Sequence, residues 1–114
     1  MQELREGFAL VSLEVSPRMA ADNRGLAHGG FIFGLADYAA MLAVNHPNVV
    51  LGSAQVRFFK PTVVGDILTA EAVLHDQAGK KKIVTVDIQR GDEAVARGEF
   101  ICFTPDAHVL SGSK

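Results

Sequence analysis

Residues 28–45, HGGFIFGLADYAAMLAVN, decide the fold of this 114-residue chain. The stretch is apolar almost all round, and Asn45 with Pro47 two residues later is a typical helix end. We therefore predict one helix from about Gly30 to Val44, roughly 20 Å long at about 1.5 Å per residue. A helix that is apolar on every side has to be wrapped by the rest of the protein, so we expect it at the centre of the fold.

Five other segments have the alternating or β-branched texture of strands. One precedes the helix and ends at Ser16-Pro17, and four follow it, separated by turns rich in Gly, Pro and Asp. These predicted strands cover residues 8–15, 49–59, 66–75, 82–90 and 94–103. The last two gaps are short enough for antiparallel hairpins. The sequence thus predicts an α+β domain, in which a five-stranded antiparallel sheet with one apolar face curls around a long central helix.

Length and composition limit the organisation and the partners of the chain. We expect a single domain over residues 1–114, with a core at about 8–103 and a loose tail at about 108–114. A net charge of -2 gives no basic field for nucleic acid. The single cysteine, Cys102, excludes an internal disulfide and fits a reducing compartment. The charged start MQELREG and the absence of a long apolar stretch predict a cytoplasmic protein without a signal peptide or membrane span.

His28, Gly29 and Gly30 lie where the chain enters the predicted helix. The two glycines leave backbone N–H groups unobstructed at the positive end of the helix dipole. A carbonyl oxygen that becomes an oxyanion would be stabilised there. Taken alone, the motif is better explained by a tight Gly-Gly turn that His28 caps.

Asp37 lies inside the predicted helix on a stripe of small and apolar residues. Burying a carboxylate is costly unless it is paired or hydrogen-bonded, and positions that tolerate the cost are often functional. The alternative is a structural aspartate bonded to a neighbouring strand or subunit. Gly29 and Asp37 are separated by roughly 12 Å along one helix axis, so they cannot touch one reacting carbon. In a twofold dimer with antiparallel helices, Asp37 of one chain would face the helix start of the other.

Two stretches resemble a known family, the hotdog-fold acyl-CoA thioesterases, and particularly the branch typified by phenylacetyl-CoA thioesterase. Residues 28–45 are similar to its HGG-containing loop and central helix, and residues 57–72, RFFKPTVVGDILTAEA, to its strand, Pro turn and Gly-Asp opening. The likeness covers about residues 8–103. It implies a hotdog fold and hydrolysis of a small or medium acyl-CoA, with no cofactor because coenzyme A is part of the substrate. It also implies a homodimer that commonly pairs into a homotetramer.

The resemblance also implies roles for single residues. The backbone N–H of Gly29, in the motif with His28 and Gly30, would polarise the thioester carbonyl. Asp37 of the partner chain would act as general base, or as nucleophile through a mixed anhydride, and the sequence does not separate these routes.

Two further positions follow the family pattern less closely. The family often has an Asn six residues before the His, where this chain has Asp22; either Asn23 takes that role or the role is unfilled. A Ser or Thr after the helix often assists the carboxylate, and Ser53 is the nearest candidate. An ordinary strand serine explains Ser53 equally well.

Coenzyme A needs cations near its phosphates. Arg57 and Lys60 near the Phe58-Phe59 edge, and a lysine cluster in a predicted turn, could supply them, although such clusters are usually just solvated; the cluster is Lys80, Lys81 and Lys82. His46, His75 and His108 lack metal-ligand spacing, so no metal site is predicted.

Three other functions compete with hydrolysis. A hotdog domain can bind acyl-CoA or lipid without turnover, but such sensors usually add a DNA-binding segment and carry Asn where this chain has Asp37. Hotdog hydratases place an acid and a His in a different motif, which this sequence lacks. A purely structural oligomer leaves Asp37 and the glycines unexplained, so we favour the thioesterase.

Overall fold

The computed structural model describes residues 3–20, 25–26 and 29–105. Within these ranges lie one α-helix and six β-strands: β1 Glu3–Arg5, β2 Phe8–Glu14, α1 Gly29–Val44, β3 Val50–Phe58, β4 Ile67–Ala78, β5 Lys81–Arg90 and β6 Glu93–Phe103. The predicted helix and five strands are confirmed, with ends that differ by a few residues. The predicted tail and the site candidates Asn23 and His28 lie outside the described residues.

The six strands form one antiparallel sheet in the order β1-β2-β4-β5-β6-β3. The sheet has one strand more than predicted. The extra strand, β1, was not predicted because it is only three residues long and all of them are exposed. The chain crosses from β2 through α1 to β3 at the far edge, and then returns to β4 beside β2. The strands next to α1 in sequence are therefore not neighbours in the sheet.

The helix lies across one face of the sheet and packs mainly on β2, β4 and β5. Its buried stripe consists largely of small side chains, which let the helix approach the sheet closely: Ile32, Leu35, Ala36, Ala39, Ala40 and Ala43. Alternate residues of the central strands meet this stripe because strand side chains point to opposite faces in turn; they include Leu68, Ala70, Ala72, Val84, Val86 and Ile88. Burying each of the larger side chains contributes roughly 1.5–3 kcal/mol.

The opposite side of α1 is not covered by any of the described residues. Phe31 and Tyr38 are 44% and 54% exposed, and Gly34 between them is also exposed. A single sheet layer covers only one side of a helix, so the wrapping predicted from the all-round apolar pattern applies to the buried stripe alone. In the part of the chain that the structure describes, there is no helix with the length and hydropathy needed to span a membrane.

Strand β3 forms one edge of the sheet, and of the described strands it pairs with β6 alone. Most of its nine residues are exposed, and α1 hardly contacts it. A bulge between Leu51 and Ser53 interrupts its register with β6. At the bulge, Gly52 has no room for a side chain, because a Cβ there would overlap the ring of Phe103.

Candidate active site

A pocket of about 330 Å³ opens where α1 begins, and we call it the helix-entrance pocket. It is mostly apolar, with one cation and one hydroxyl in its wall; its lining residues are Leu26, Gly29, Ile32, Phe58, Phe59, Lys60, Pro61, Thr62 and Val95. The pocket therefore combines a helix N-terminus with space for an apolar group and a nearby positive charge.

Gly29 is the first residue of α1, one residue earlier than predicted. The N–H groups of the first helical turn have no acceptor inside the helix, so they point away from its start. Among the described residues, nothing lies within 4 Å of the position that a Cβ on Gly29 would take. None of these residues therefore blocks the approach of a ligand carbonyl to Gly29.

The loop over the pocket, residues 59–66, is tied down at several points. The Val64 N–H donates to the Gly25 carbonyl at 2.8 Å, and Leu26 forms an isolated bridge with Val63. The Phe59 N–H donates to the Val95 carbonyl at 2.8 Å. These bonds join the loop both to β6 and to the segment that leads into α1.

An ion network holds the far end of the same loop. The Asp66 carboxylate accepts hydrogen bonds from the Val63 N–H at 2.9 Å and from Arg90 Nη1 at 2.8 Å. Arg90 Nη1 also donates to the Pro61 carbonyl at 3.0 Å, and its other nitrogens bind Glu93. The Val63 N–H, followed by Arg90, lowers the pKa of Asp66. Sequence reasoning noted the Gly65-Asp66 turn but missed Arg90, because nothing in the sequence connects residues so far apart.

Asp37 lies on the flank of α1 that faces β6. One turn before it, Phe33 packs against Phe100 with ring centroids 5.6 Å apart. The Asp37 Oδ1 atom is buried and has no hydrogen-bond partner among the described residues. Burial raises the pKa of this carboxyl, and its charge helps to raise the pKa of Cys102. Asp37 is therefore a half-buried acid, one oxygen of which is bound by no described residue.

The structure places Gly29 and Asp37 at opposite ends of the edge strand. Gly29 shares the helix-entrance pocket with Phe58, the last residue of β3. Asp37 lies near Cys102, which pairs with Leu51 at the other end of β3. One chain therefore does not bring the two predicted catalytic groups together, in agreement with their spacing along the helix.

Ser53 does not approach Asp37 within the chain. Its cross-strand partner is Ile101, which lies between the buried residues Phe100 and Cys102 and so faces away from the helix. The bulge beside Ser53 sets this direction, and a two-residue period in the sequence does not show a bulge. The geometry thus gives no support for an assisting role of Ser53.

The predicted phosphate ligands are spread over the domain. Lys60 lines the helix-entrance pocket, whereas Arg57 pairs with Arg97 on the outer face of the sheet, away from α1. The cluster Lys80–Lys82 lies at the turn from β4 to β5. Lys81 is the cross-strand partner of Phe103 on β6, and Phe103 is in turn the partner of Val50 at the start of β3. No group of three His, Cys, Asp or Glu side chains suited to a metal ion occurs within the described ranges.

Comparison with known proteins identifies the family. The model of the Thioesterase superfamily matches residues 24–97. The chain is 32% identical over 99 residues to the acyl-coenzyme A thioesterase PaaI of Escherichia coli. The aligned region covers 82% of this chain and 70% of PaaI. It is 33% identical over 85 residues to the transcription factor FapR of Thermoanaerobacter sp. (strain X514), which covers 75% of this chain.

Other similar proteins differ in name or length. A methylthioribose-1-phosphate isomerase of Aquifex aeolicus is 52% identical over 98 residues, or 86% of this chain. The chain spans only 22% of that isomerase and 42% of FapR. A crystal structure from Pyrococcus horikoshii superposes with a TM-score of 0.92 at 56% identity, covering 94% of this chain and 82% of that one. With its single helix on an antiparallel sheet and its match over residues 24–97, the chain belongs to the thioesterase superfamily and has the hotdog fold.

Proposed function

We propose that this protein is an acyl-CoA thioesterase whose active site lies between two copies of the chain. The observation that carries the proposal is the half-buried carboxyl of Asp37, which lies at one end of β3 and whose buried Oδ1 atom has no hydrogen-bond partner among the described residues. The helix-entrance pocket with Gly29 lies at the other end. Each of the two equivalent sites then combines Asp37 of one chain with the helix-entrance pocket of the other.

Antiparallel pairing of two β3 strands would join these halves. Strand β3 presents a row of backbone groups that no described strand pairs with, and such an edge is a template for another strand. If two copies pair about a twofold axis near Ala54, the Leu51 end of one strand lies beside the Phe58 end of the other. Asp37 of one copy then approaches the helix-entrance pocket of its partner. The exposed Phe31 and Tyr38 side would remain for the second dimer of a homotetramer.

Two reaction routes fit this arrangement. In the first, Asp37 takes a proton from water, the water oxygen bonds to the thioester carbon, and the carbon–sulfur bond breaks to release coenzyme A. In the second, the Asp37 carboxylate attacks the carbon itself, the carbon–sulfur bond breaks to release coenzyme A as its thiolate, and water then hydrolyses the resulting mixed anhydride to the acid and free Asp37. In both, the Gly29 N–H donates a hydrogen bond to the oxygen that becomes negative.

The remaining pocket residues suit the substrate. The apolar side chains Ile32 and Val95 can contact the acyl or pantetheine chain of a small or medium acyl-CoA, and Lys60 lies within reach of the phosphates. In the proposed dimer, Lys80–Lys82 of the partner chain lie at the same end of the joined sheet as Lys60 of this chain.

A direct test measures thiol release from a panel of aromatic, short-chain, long-chain and hydroxylated acyl-CoAs with DTNB. Asp37→Asn should reduce the rate by more than about a hundredfold without loss of folding, the scale expected for a catalytic group. Cys102 should contribute little background in native protein, because burial and then the charge of Asp37 raise the pKa of its thiol to about 11. Retained activity in Asp37→Asn would place the chemistry elsewhere.

Mixing two inactive variants tests the shared site. Gly29→Pro removes one N–H at the first helical position, where proline is tolerated. When Asp37→Asn and Gly29→Pro chains exchange freely at equal amounts, half of the dimers are mixed, and each mixed dimer has one intact site. About a quarter of the native activity should return. If the two groups act within one chain, every mixed dimer stays inactive.

A second candidate is a non-catalytic protein that binds acyl-CoA or lipid, which the similarity to the transcription factor FapR favours. Such a protein would bind acyl-CoA in calorimetry and release no thiol with any member of the panel. The desolvated Asp37 carboxylate favours hydrolysis, since binding alone needs no buried acid.

A further inference from the structure

Arg57 and Arg97 stand directly opposite each other on the outer face of the sheet. Like charges in this position destabilise a strand pair. Arg97 is partly compensated by Asp87, whose Oδ1 lies 3.2 Å from Arg97 Nε. Arg57 has no ion pair with any residue that the structure describes, so folding alone does not account for this pair of arginines.

The two arginines line a depression of about 450 Å³, which we call the outer-face pocket. The other lining residues are mostly polar: Gln55, Phe59, His75, Thr85, Gly98 and Glu99. Two arginines at opposing positions of neighbouring strands suit an anion with several oxygens, because each guanidinium presents parallel N–H donors. Glu99 repels an anion, so the phosphate position must lie on the Arg57 side of the depression.

Phe59 connects this depression with the helix-entrance pocket, because its side chain lines both. The ring is 50% exposed and can stack on a nucleic acid base. Lys60 follows Phe59 and lines only the helix-entrance pocket of the two. A ligand whose reactive end lies at Gly29 therefore passes Lys60 and Phe59 before it reaches the arginine pair.

We infer that the outer-face pocket is the subsite for the 3′-phosphorylated adenosine end of coenzyme A, with Arg57 and Arg97 binding the phosphate monoester. This inference rests on the proposed thioesterase function. It adds Arg97 and Phe59 to the residues predicted to bind coenzyme A, and it assigns a different part of coenzyme A to each residue. Lys60 faces the pyrophosphate, the arginines face the 3′-phosphate, and Phe59 stacks on the adenine.

The test compares one acyl group on coenzyme A and on dephospho-coenzyme A, which lacks only the 3′-phosphate. For the native protein, KM should be about tenfold or more higher with the dephospho substrate, the effect of losing charge-assisted hydrogen bonds. In the double variant Arg57→Gln/Arg97→Gln, this KM ratio should fall toward one. Arg18→Gln, which removes an exposed arginine outside the pocket, should keep the native ratio.

Several outcomes would overturn the assignment. A native KM ratio near one would do so, as would a double variant that keeps the native ratio. Inhibition by inorganic phosphate as strong as that by adenosine 3′,5′-bisphosphate would show a simple anion site. If no acyl-CoA is hydrolysed, calorimetry with coenzyme A and dephospho-coenzyme A measures the same ratio as a ratio of Kd values, so failure of the thioesterase proposal is recognised separately.

Discussion

The carboxylate of Asp37 lies close enough to the thiol of Cys102 for its charge to raise the pKa of that thiol. Cys102 is fully buried on β6, and Asp37 is half-buried, with its Oδ1 atom shielded from solvent. A carboxylate with a thiol for a neighbour gains little compensation, because S–H is a weak hydrogen-bond donor. Partial burial therefore raises the pKa of Asp37, so its carboxylate is a stronger base than that of an exposed aspartate.

The partial burial of ionised Asp37 should lower the thermal stability of the fold. Since burial raises the pKa of Asp37, the folded state binds its proton more tightly than the unfolded state, and the ionised group destabilises the fold. We expect Asp37→Asn to have a higher Tm than the native protein at pH 7. The difference should shrink as pH falls through the raised pKa and become constant below the ordinary value of 3.8. Thermal melts across pH check this; a lower Tm for Asp37→Asn at pH 7 would mean that the carboxylate has a stabilising partner.

The network at Asp66 should have the opposite dependence on pH. Hydrogen bonds from Val63 and Arg90 lower the pKa of Asp66, so its contribution to stability is present above the unfolded pKa and is lost as pH falls through the folded one. Asp66→Asn should lower the free energy of unfolding by about 1–2 kcal/mol at pH 7, measured by urea denaturation.

Arg5 provides a control for that measurement. Its ion pair with Glu3 is far more exposed, with side chains 62% and 46% accessible, so Arg5→Gln should cost less than about 0.5 kcal/mol. Equal losses in Asp66→Asn and Arg5→Gln would contradict a specific role of Asp66 in holding the pocket loop.

Gly98 should be among the least replaceable residues of the sheet. A Cβ there would lie 2.8 Å from Phe100 Cε1 and 2.9 Å from Val56 Cγ2, both in packed surroundings. Gly98→Ala should destabilise the fold by about 1–3 kcal/mol through overpacking. Gly34→Ala is the matched control, because nothing lies within 4 Å of its Cβ and alanine favours a helix by up to about 1 kcal/mol. Chemical denaturation of both variants should give effects of opposite sign, and equal effects would refute the packing argument.

Much of the fold follows from local patterns, because α1 and the strands after it bury long, regular apolar runs. The strand order does not, since nothing local shows that β3 crosses to the far edge of the sheet. β1 is too short and too polar to produce a pattern. The direction of Ser53 depends on a bulge, which moves every later side chain of β3 by one position and defeats period counting.

Some residues of the candidate site could likewise be predicted from the sequence, whereas others could not. Gly29 and Asp37 could be proposed because each is unusual where it stands: glycine at a helix entrance and a carboxylate among alanines. Their separation was also predictable from helix geometry. Arg90 and Arg97 could not be identified, because each acquires its meaning only from residues that the fold brings beside it, Asp66 for one and Arg57 for the other.

The bare edge of β3 has a consequence for the newly made chain. A nine-residue strand with no neighbour on one side among the described residues can pair with any extended segment nearby. Under the proposed pairing of two β3 strands, slow synthesis or dilution would favour wrong partners, whereas a high local concentration of the same chain would cover the edge. Biogenesis would then depend on how quickly each molecule meets a second copy.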